Sequence, residues 1–351
     1  MRRFVLLVCI AWLEACGDPE TPPDMSVEEH GPYSVGTARF TSDGRTLQSF
    51  YPTDTAEADI AFESLEDEPH RTEYGSLLAM ADPACPTRRL SLAVDAPPAA
   101  GAFPLVVVSH CYTCTRLNLA TVSARLASHG FVVLSVDHDG ATLWNLLAMN
   151  QTGLTSQALD ARITDMQATL AADHASLASA DRTRIGSLGH SFGAVTAGKL
   201  AQLDDRIQAT FALAAPIDSP LFPGVELAPI PLAFLVARED NSISEFGNDF
   251  IRDNFDAAPQ AAWKLEVADA GHWSVSDLVG VVDNFDAGCG MDIRQTDDTP
   301  FTYLGPTTGR AITAAYVTAF FRATLDDDPG ARAYLARGFP DDNLVAAAHH
   351  D

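Results

Sequence analysis

The chain lacks long apolar runs and is poor in basic residues. Each of these features excludes a class of location or partner. Beyond the N-terminal segment, no stretch approaches the roughly 18 uninterrupted apolar residues of a membrane-spanning helix, so we expect no internal span. Only 22 lysines and arginines stand against 47 aspartates and glutamates, which gives a formal net charge of -25. A surface of that charge repels nucleic acid phosphates and anionic lipids, so neither is an expected partner.

The cysteines are few, and their spacing argues against a structural zinc site. Cys111 and Cys114 form one C-x-x-C pair, and the chain has no second pair with which to complete a four-thiolate centre. The turn Asp137-His138-Asp139 is the other candidate for a metal cluster, but a strand-end turn with solvated carboxylates is the simpler interpretation. We therefore expect no bound metal.

The N-terminus has the pattern of a targeting segment. Arg2 and Arg3 are followed by a short apolar core at residues 4–13, as in export signals. The next residues, Leu13-Glu14-Ala15-Cys16, resemble the lipobox of bacterial lipoproteins, in which the cysteine is lipidated and becomes the first residue. The glutamate is unusual in that box, and the alternative is an ordinary secretory signal. We expect an exported protein, either lipid-anchored in the bacterial cell envelope or else periplasmic or secreted.

An exported chain with an even number of remaining cysteines is expected to contain disulfides. Of the six cysteines, Cys9 and Cys16 lie in the targeting segment, and four remain. Four cysteines allow three pairings. We favour Cys111 with Cys114 and Cys85 with Cys289.

The apolar runs predict an α/β fold, with a largely parallel central sheet and helices on both faces. Residues 103–109 and 131–136 are continuous β-branched runs, typical of strands buried on both faces. A helical run at 117–129 separates them, and a longer amphipathic helix is predicted at 159–178. The acidic residues 53–82 are predicted to be irregular. Further strands are predicted at 207–213, 232–236 and 262–267. Strands that alternate with helices favour a parallel sheet.

Residues Gly189-His190-Ser191-Phe192-Gly193 are the most informative motif. They read Gly-x-Ser-x-Gly, between a short β-type run and an Ala-rich run that favours a helix. This context is typical of a nucleophile elbow, in which the serine stands on a strained turn and glycines are needed on either side. Ser191 is therefore the candidate nucleophile.

A serine hydroxyl needs a general base, and the base needs an orienting carboxylate. Three histidines follow Ser191 in the chain, and two of them, His349 and His350, lie in a C-terminal tail that we expect to be mobile. His272 follows a predicted strand, in a loop that can bring it over the sheet edge. We expect His272 to be the base.

The carboxylate that orients the histidine can follow either of two predicted strands. Asp240 follows the predicted strand 232–236, and Asp218 follows the strand before it. We favour Asp240, because most proteins of the fold that carries such an elbow take their acid from the loop after this strand. Glu239 is a lesser candidate.

The oxyanion of an acyl-transfer intermediate needs preorganised N–H donors. One is expected from the backbone of Phe192, directly after the serine. The other is expected from the backbone of Tyr112, in the loop that follows the strand 103–109. His110 and His190 do not have the position of a base in the chain order, and we expect them to be structural.

Together these residues resemble α/β-hydrolases related to dienelactone hydrolase, group II platelet-activating-factor acetylhydrolases and cutinase-type polyester hydrolases. The matching stretches are residues 49–52, 107–113, 125–133, the elbow at 189–193, residues 238–243, and Gly271-His272. The resemblance runs from about residue 35 to 325. It implies the α/β-hydrolase fold and the hydrolysis of carboxylic esters without a cofactor.

On this interpretation the chain has four segments: a signal peptide at 1–15, a polar tether at 16–34, a catalytic domain at 35–325 and a tail at 326–351. The membrane would then be a partner only through a lipid at Cys16. The sequence leaves the oligomeric state open.

Two departures from the family pattern bear on the substrate. Cys111 stands where the family usually has glycine, so a disulfide would stiffen the oxyanion loop. Ile217 stands where the polyester hydrolases have a tryptophan, so the aromatic clamp is missing. We expect small-molecule esters of small to medium acyl groups, in a pocket formed by Tyr112, Ile217 and Trp273.

Three alternatives remain. One is a lipase resembling platelet-activating-factor acetylhydrolase, or a polyester hydrolase. Another is a non-catalytic surface binding protein on the same fold, which the complete serine, aspartate and histidine set disfavours. The third is a thiol nucleophile of the dienelactone hydrolase type, which Ser191 disfavours.

Overall fold

A computed structural model describes residues 21–281, 288–337 and 343–351. The central sheet is built from these strands: β1 (Ser34–Ser42), β2 (Arg45–Thr53), β3 (Ala58–Ala61), β4 (Arg89–Val94), β5 (Phe103–Ser109), β6 (Val132–Val136), β7 (Ala180–His190), β8 (Ile207–Leu213), β9 (Leu232–Ala237), β10 (Ala262–Val267) and β13 (Val345–His350). A small separate hairpin is formed by β11 (Met291–Ile293) and β12 (Pro300–Thr302).

The helices lie between the strands along the chain. They are α1 (His70–Met80), α2 (Ala120–Ser128), α3 (Leu143–Leu147), α4 (Ser156–Ala171), α5 (Phe192–Leu203), α6 (Ser244–Ala257), α7 (Pro306–Leu325) and α8 (Pro329–Arg337). Among the residues that the structure describes, no helix combines the length and apolar character needed to cross a membrane.

The sheet is parallel at its centre and has antiparallel pairs toward both edges, although β1 and β4 pair in parallel. Its strand order is β13-β10-β9-β8-β7-β5-β6-β2-β1-β4-β3. Neighbours from β6 to β10 pair in parallel, whereas β2 pairs antiparallel with β6 and β13 pairs antiparallel with β10. This is the predicted α/β architecture, and the carboxyl ends of the parallel strands meet at one edge.

Two apolar cores cover the two faces of this sheet. Val106 and Val108 of β5 pack in one core with α2 and α7. Leu105 and Val107 of the same strand pack in the other core with α4, α5 and α6. Because side chains alternate across a strand, only a continuous apolar run can fill both cores, which explains the sequence of β5.

Both favoured disulfides are confirmed. Cys85 is bonded to Cys289 with their Cα atoms 5.9 Å apart, and Cys111 is bonded to Cys114 with a Cα separation of 5.3 Å. Disulfides of this kind are typical of proteins that fold outside the reducing cytosol. The predicted lipidation site, Cys16, and the signal peptide lie outside the described residues.

Two parts of the chain differ from the sequence prediction. The C-terminal segment contains α8 and β13, and His349 pairs with Trp263 of β10 in the sheet ladder, so the expectation of a mobile tail there is wrong. An edge strand is held by its backbone hydrogen bonds, which leave little trace in side-chain pattern. The acidic segment after β2, predicted to be irregular, contains β3 and α1, whose buried Tyr74 and Leu78 lie one turn apart.

Candidate active site

Ser191 occupies a sharp turn between β7 and α5. Its φ of 56° and ψ of -123° are strained for a residue with a side chain. A Cβ atom at Gly189 would overlap the carbonyl oxygen of Gly193, and one at Gly193 would overlap the carbonyl oxygen of Ser109. The two glycines of the motif are therefore required by close backbone packing, as the sequence pattern indicated.

The structure brings Ser191, His272 and Asp240 into one hydrogen-bonded row. Ser191 Oγ lies 2.8 Å from His272 Nε2, and His272 Nδ1 lies 2.7 Å from Asp240 Oδ2. The side chains of His272 and Asp240 are 3% and 0% exposed. The serine stands after β7, the aspartate after β9 and the histidine after β10, so the parallel sheet brings three distant segments together.

Asp218 lies elsewhere. Its side chain is exposed, and its backbone N–H and carbonyl are held by the side chain of Asn254. The structure thus places Asp240, and not Asp218, beside His272. Glu239 is buried but points away, and it forms an ion pair of 2.7 Å with Arg294.

Arg294 connects the loops that carry the aspartate and the histidine. Its second nitrogen lies 2.6 Å from Asp269, three residues before His272, and its guanidinium lies over the Phe301 ring at 4.8 Å. Arg294 follows β11, in the segment that the Cys85–Cys289 disulfide ties to the body of the protein. We call the ion pairs of Arg294 with Glu239 and Asp269 the loop clasp. The sequence shows no pattern that would have revealed it.

The two expected oxyanion donors stand at the ends of neighbouring strands. Phe192 is the first residue of α5, so its N–H has no acceptor within the helix. Tyr112 lies between the two cysteines of the Cys111–Cys114 disulfide, and no partner for its N–H is found in the described part of the chain. Thr113 has a positive φ of 58°, and its N–H donates to Ala141 O at 2.9 Å. The loop is therefore held rigidly.

His110 and His190 are buried, and burial lowers the pKa of each well below its usual range, so both are neutral. His190 Nδ1 accepts from the Asn118 amide at 3.2 Å, which leaves Nε2–H to donate to His272 O at 2.9 Å. His110 Nδ1–H donates to Cys111 O at 2.6 Å. One histidine thus supports the loop of the candidate base, and the other supports the oxyanion loop.

Arg162 of α4 was not identified from the sequence. Its side chain is buried directly behind the elbow, and its guanidinium lies 4.7 Å from the centre of the Phe192 ring. The same helix face carries Leu159, Ile163 and Met166, all buried. An arginine on that apolar face was the available signal.

The predicted substrate pocket needs correction. Ile217 is 1% exposed and packs against Gly198 of α5, and Trp273 is 1% exposed behind the His272 ring. Neither side chain offers an open surface to a substrate. Tyr112 is only partly buried, and its hydroxyl donates to Thr152 O in the insertion after β6, residues 142–154. Whether a loop side chain points inward depends on tertiary packing, which the sequence does not show.

The Asp137-His138-Asp139 turn also differs from expectation. Asp137 forms an ion pair of 2.8 Å with the buried Arg116, which also binds Glu66, so only Asp139 is solvated as predicted. In the described residues no cluster of potential ligands could hold a metal ion. A cavity of about 370 Å³ opens beside this turn, and its lining does not include the serine, histidine and aspartate row.

The fold, together with this row at the carboxyl edge of the sheet, defines an α/β-hydrolase. A family model described as PETase, PET hydrolase-like, matches residues 95–276, more than half of the chain. The chain belongs to this family and is a serine-type carboxylic ester hydrolase, which confirms the resemblance drawn from the sequence.

Among solved structures, the chain is similar to a ferulic acid esterase from Streptomyces cinnamoneus. The TM-score is 0.67 and the identity 22%, over 90% of this chain and 96% of that one. At this identity the likeness shows the shared fold. No curated protein sequence matches the chain.

Proposed function

We propose that the protein hydrolyses esters of small to medium acyl groups through an acyl-enzyme on Ser191. The observation that carries this proposal is the row of hydrogen bonds from Ser191 Oγ through His272 to Asp240, at 2.8 and 2.7 Å. Asp240 accepts the Nδ1–H of His272, which leaves Nε2 free to accept a proton from the serine.

In the first half of the reaction, Ser191 Oγ attacks the ester carbonyl carbon while its proton moves to His272 Nε2. The carbonyl oxygen becomes an oxyanion, which accepts hydrogen bonds from the N–H groups of Phe192 and Tyr112. When the intermediate collapses, the carbon–oxygen bond to the alcohol breaks and His272 returns the proton to the leaving oxygen. In the second half, water attacks the acyl-enzyme by the same steps and releases the acid.

The insertion next to the expected oxyanion donor Tyr112 supports an apolar acyl group. The insertion after β6 exposes Leu147, Met149 and Leu154, and it is joined to the oxyanion loop by the Tyr112 hydroxyl. Position 217 holds a buried isoleucine and offers no aromatic ring to a terephthalate unit. These features favour an ester of a small to medium acyl group over an aromatic polyester.

The family description favours a second candidate, hydrolysis of a poly(ethylene terephthalate)-like polyester. The two candidates share the catalytic row and differ only in the substrate. Release of terephthalate units from a film, compared with hydrolysis of nitrophenyl butyrate by the same preparation, separates them.

Ser191→Ala tests the shared chemistry. We expect the variant to fold as the wild type does and to lose roughly four or more orders of magnitude in turnover, because the three residues act as a unit. Thermal unfolding and circular dichroism provide the control for folding. Unchanged turnover in the folded variant would refute the proposal.

We further propose that Cys16 is lipidated and holds the enzyme at the cell envelope through the few residues that follow it. The tether predicted at 16–34 is too long, because Val27 is buried in the core and Asp24 forms an ion pair of 2.8 Å with Arg322. Three lines support this: the lipobox-like residues before Cys16, the proline-containing polar stretch after it and the disulfides of the domain. Mass spectrometry of the mature N-terminus tests it. A free, unmodified terminus at another residue would refute lipidation without bearing on the esterase proposal.

A further inference from the structure

Arg162 carries a buried charge that has no role in the catalytic steps proposed above. Its side chain is 1% exposed, and in the described parts of the chain no carboxylate lies within 4 Å of its guanidinium. The nearest acid on its helix, Asp165, is engaged by Arg45 at 2.6 Å and by His138 at 3.0 Å. Burial accordingly lowers the pKa of Arg162. An unpaired buried cation is costly to a fold, so its presence here calls for a functional reason.

The contacts of Arg162 join the two segments that carry the expected oxyanion donors. On one side, Nη2 donates to Ser109 Oγ at 3.0 Å and to the carbonyl oxygen of His110, two residues before Tyr112. On the other side, Nε donates to Thr196 Oγ1 at 3.0 Å, and that hydroxyl donates to the carbonyl oxygen of Phe192 at 2.8 Å.

The ring contact strengthens the second connection. The guanidinium carbon of Arg162 lies 4.7 Å from the centre of the Phe192 ring, within the range of a cation–π interaction. One planar group therefore fixes the end of β5 and the start of α5 relative to each other.

We propose that Arg162 is a positioning residue for the oxyanion hole, which holds the Tyr112 and Phe192 segments at the separation that the tetrahedral intermediate requires and adds positive charge behind them. The proposal rests on the function proposed above. In the free enzyme no acid of the described residues forms an ion pair with this charge. In the tetrahedral intermediate the carbonyl oxygen of the ester becomes negatively charged, and the positive charge of Arg162 stabilises it. The interaction is therefore stronger in the transition state than in the substrate complex.

Of the described groups around Arg162, none forms an ion pair with its guanidinium, and Asp165 acts on it only from a distance. His110 follows β5 and His138 follows β6, and burial together with the arginine's own charge lowers the pKa of both, so they are neutral. Asp165, on the same helix as the arginine, is shared between Arg45 and His138. A preorganised cation in a site of low dielectric acts strongly on a nearby developing charge.

The test compares Arg162→Met, Arg162→Lys and the control Arg182→Met, using nitrophenyl butyrate. Arg182 is an exposed arginine that also donates to backbone carbonyls, those of Leu170 and Ala172. For Arg162→Met we expect kcat to fall roughly 10- to 100-fold, less than for loss of an oxyanion donor itself. KM should stay within about twofold, because the interaction acts in the transition state. Arg162→Lys keeps the charge but not the planar group and should recover part of the loss, and Arg182→Met should behave as the wild type.

A folded Arg162→Met protein with wild-type kcat would overturn the proposal, as would a loss confined to KM or an equal loss in the lysine variant. Should Arg162→Met fail to fold, Thr196→Val removes the hydrogen-bonded path from Arg162 to Phe192 with little change in volume and leaves the ring contact in place. We expect a severalfold fall in kcat there, and an unchanged kcat would overturn the proposal.

The failure of the proposed function gives a different result. If the wild type neither hydrolyses esters nor reacts with a fluorophosphonate at Ser191, the esterase proposal fails, and that of Arg162 fails with it. If the wild type does both and the Arg162 variants match it, only the inference on Arg162 fails.

Discussion

Both carboxylate oxygens of Asp240 accept hydrogen bonds. Oδ2 lies 2.7 Å from Nδ1 of His272, and Oδ1 accepts the backbone N–H groups of Ser242 and Ile243 at 2.9 and 3.0 Å. A carboxylate fixed in this way determines which ring nitrogen of the histidine carries the proton.

Asp240→Asn should therefore lower kcat by about 10³- to 10⁴-fold, because an amide can stabilise the wrong histidine tautomer. Asp218→Asn is the matched control, since Asp218 is exposed and does not contact His272. Steady-state kinetics of the two variants decide between them. Loss of activity in Asp218→Asn alone would show that the acid has been misassigned.

We expect kcat/KM to rise as the acyl chain lengthens by a few carbons and then to rise no further. Each buried methylene is worth about 0.8 kcal/mol at best, and the gain ends where the pocket ends. We expect kcat/KM to peak at a short or medium chain when nitrophenyl esters from acetate to palmitate are compared. A maximum at palmitate, or faster release of terephthalate units than of butyrate, would contradict the proposed substrate class.

The loop clasp should support both stability and turnover. In Arg294→Met, buried Glu239 loses its ion pair beside Asp240, and a stranded buried charge costs up to about 3–5 kcal/mol. We expect a lower Tm and a severalfold lower kcat. Adding Glu239→Gln removes the stranded charge and should recover part of the Tm, whereas Arg206→Met, in an exposed pair with Asp204, should change neither quantity. Equal Tm values for wild type and Arg294→Met would contradict this role.

Stability should fall as the pH drops below about 6.5, the ordinary pKa of histidine. His110, His138 and His190 are buried, and their pKa values in the folded protein lie well below that value. The unfolded chain therefore takes up protons first, and each histidine lowers the free energy of unfolding by up to about 1.4 kcal/mol per pH unit.

Urea unfolding at pH 7.5, 6.5 and 5.5 measures how the free energy of unfolding changes with pH. In His138→Gln we expect the free energy of unfolding to depend less steeply on pH than in the wild type. The same dependence in both proteins would refute the assignment.

Local constraints explain which parts of the site could be predicted from sequence. The glycines around Ser191 leave a local pattern because their Cβ positions are occupied by backbone, and His272 is singled out by its place in the chain. The choice between Asp240 and Asp218 depends on which strand end faces the histidine, so only the fold separates them. Arg162 was missed because an arginine in a helix is usually taken for a surface residue. Its burial follows from tertiary packing between α4 and the sheet.

Intact-protein mass spectrometry after reaction with a fluorophosphonate tests the central claim most directly. The reagent transfers its phosphonyl group to an activated serine and loses fluoride, so one adduct per chain is expected in the wild type. Peptide mapping should place that adduct on Ser191. Ser191→Ala and His272→Ala should remain unlabelled over the same time, since the first lacks the nucleophile and the second lacks its base. An adduct on another residue, or equal labelling of folded Ser191→Ala, would contradict the account.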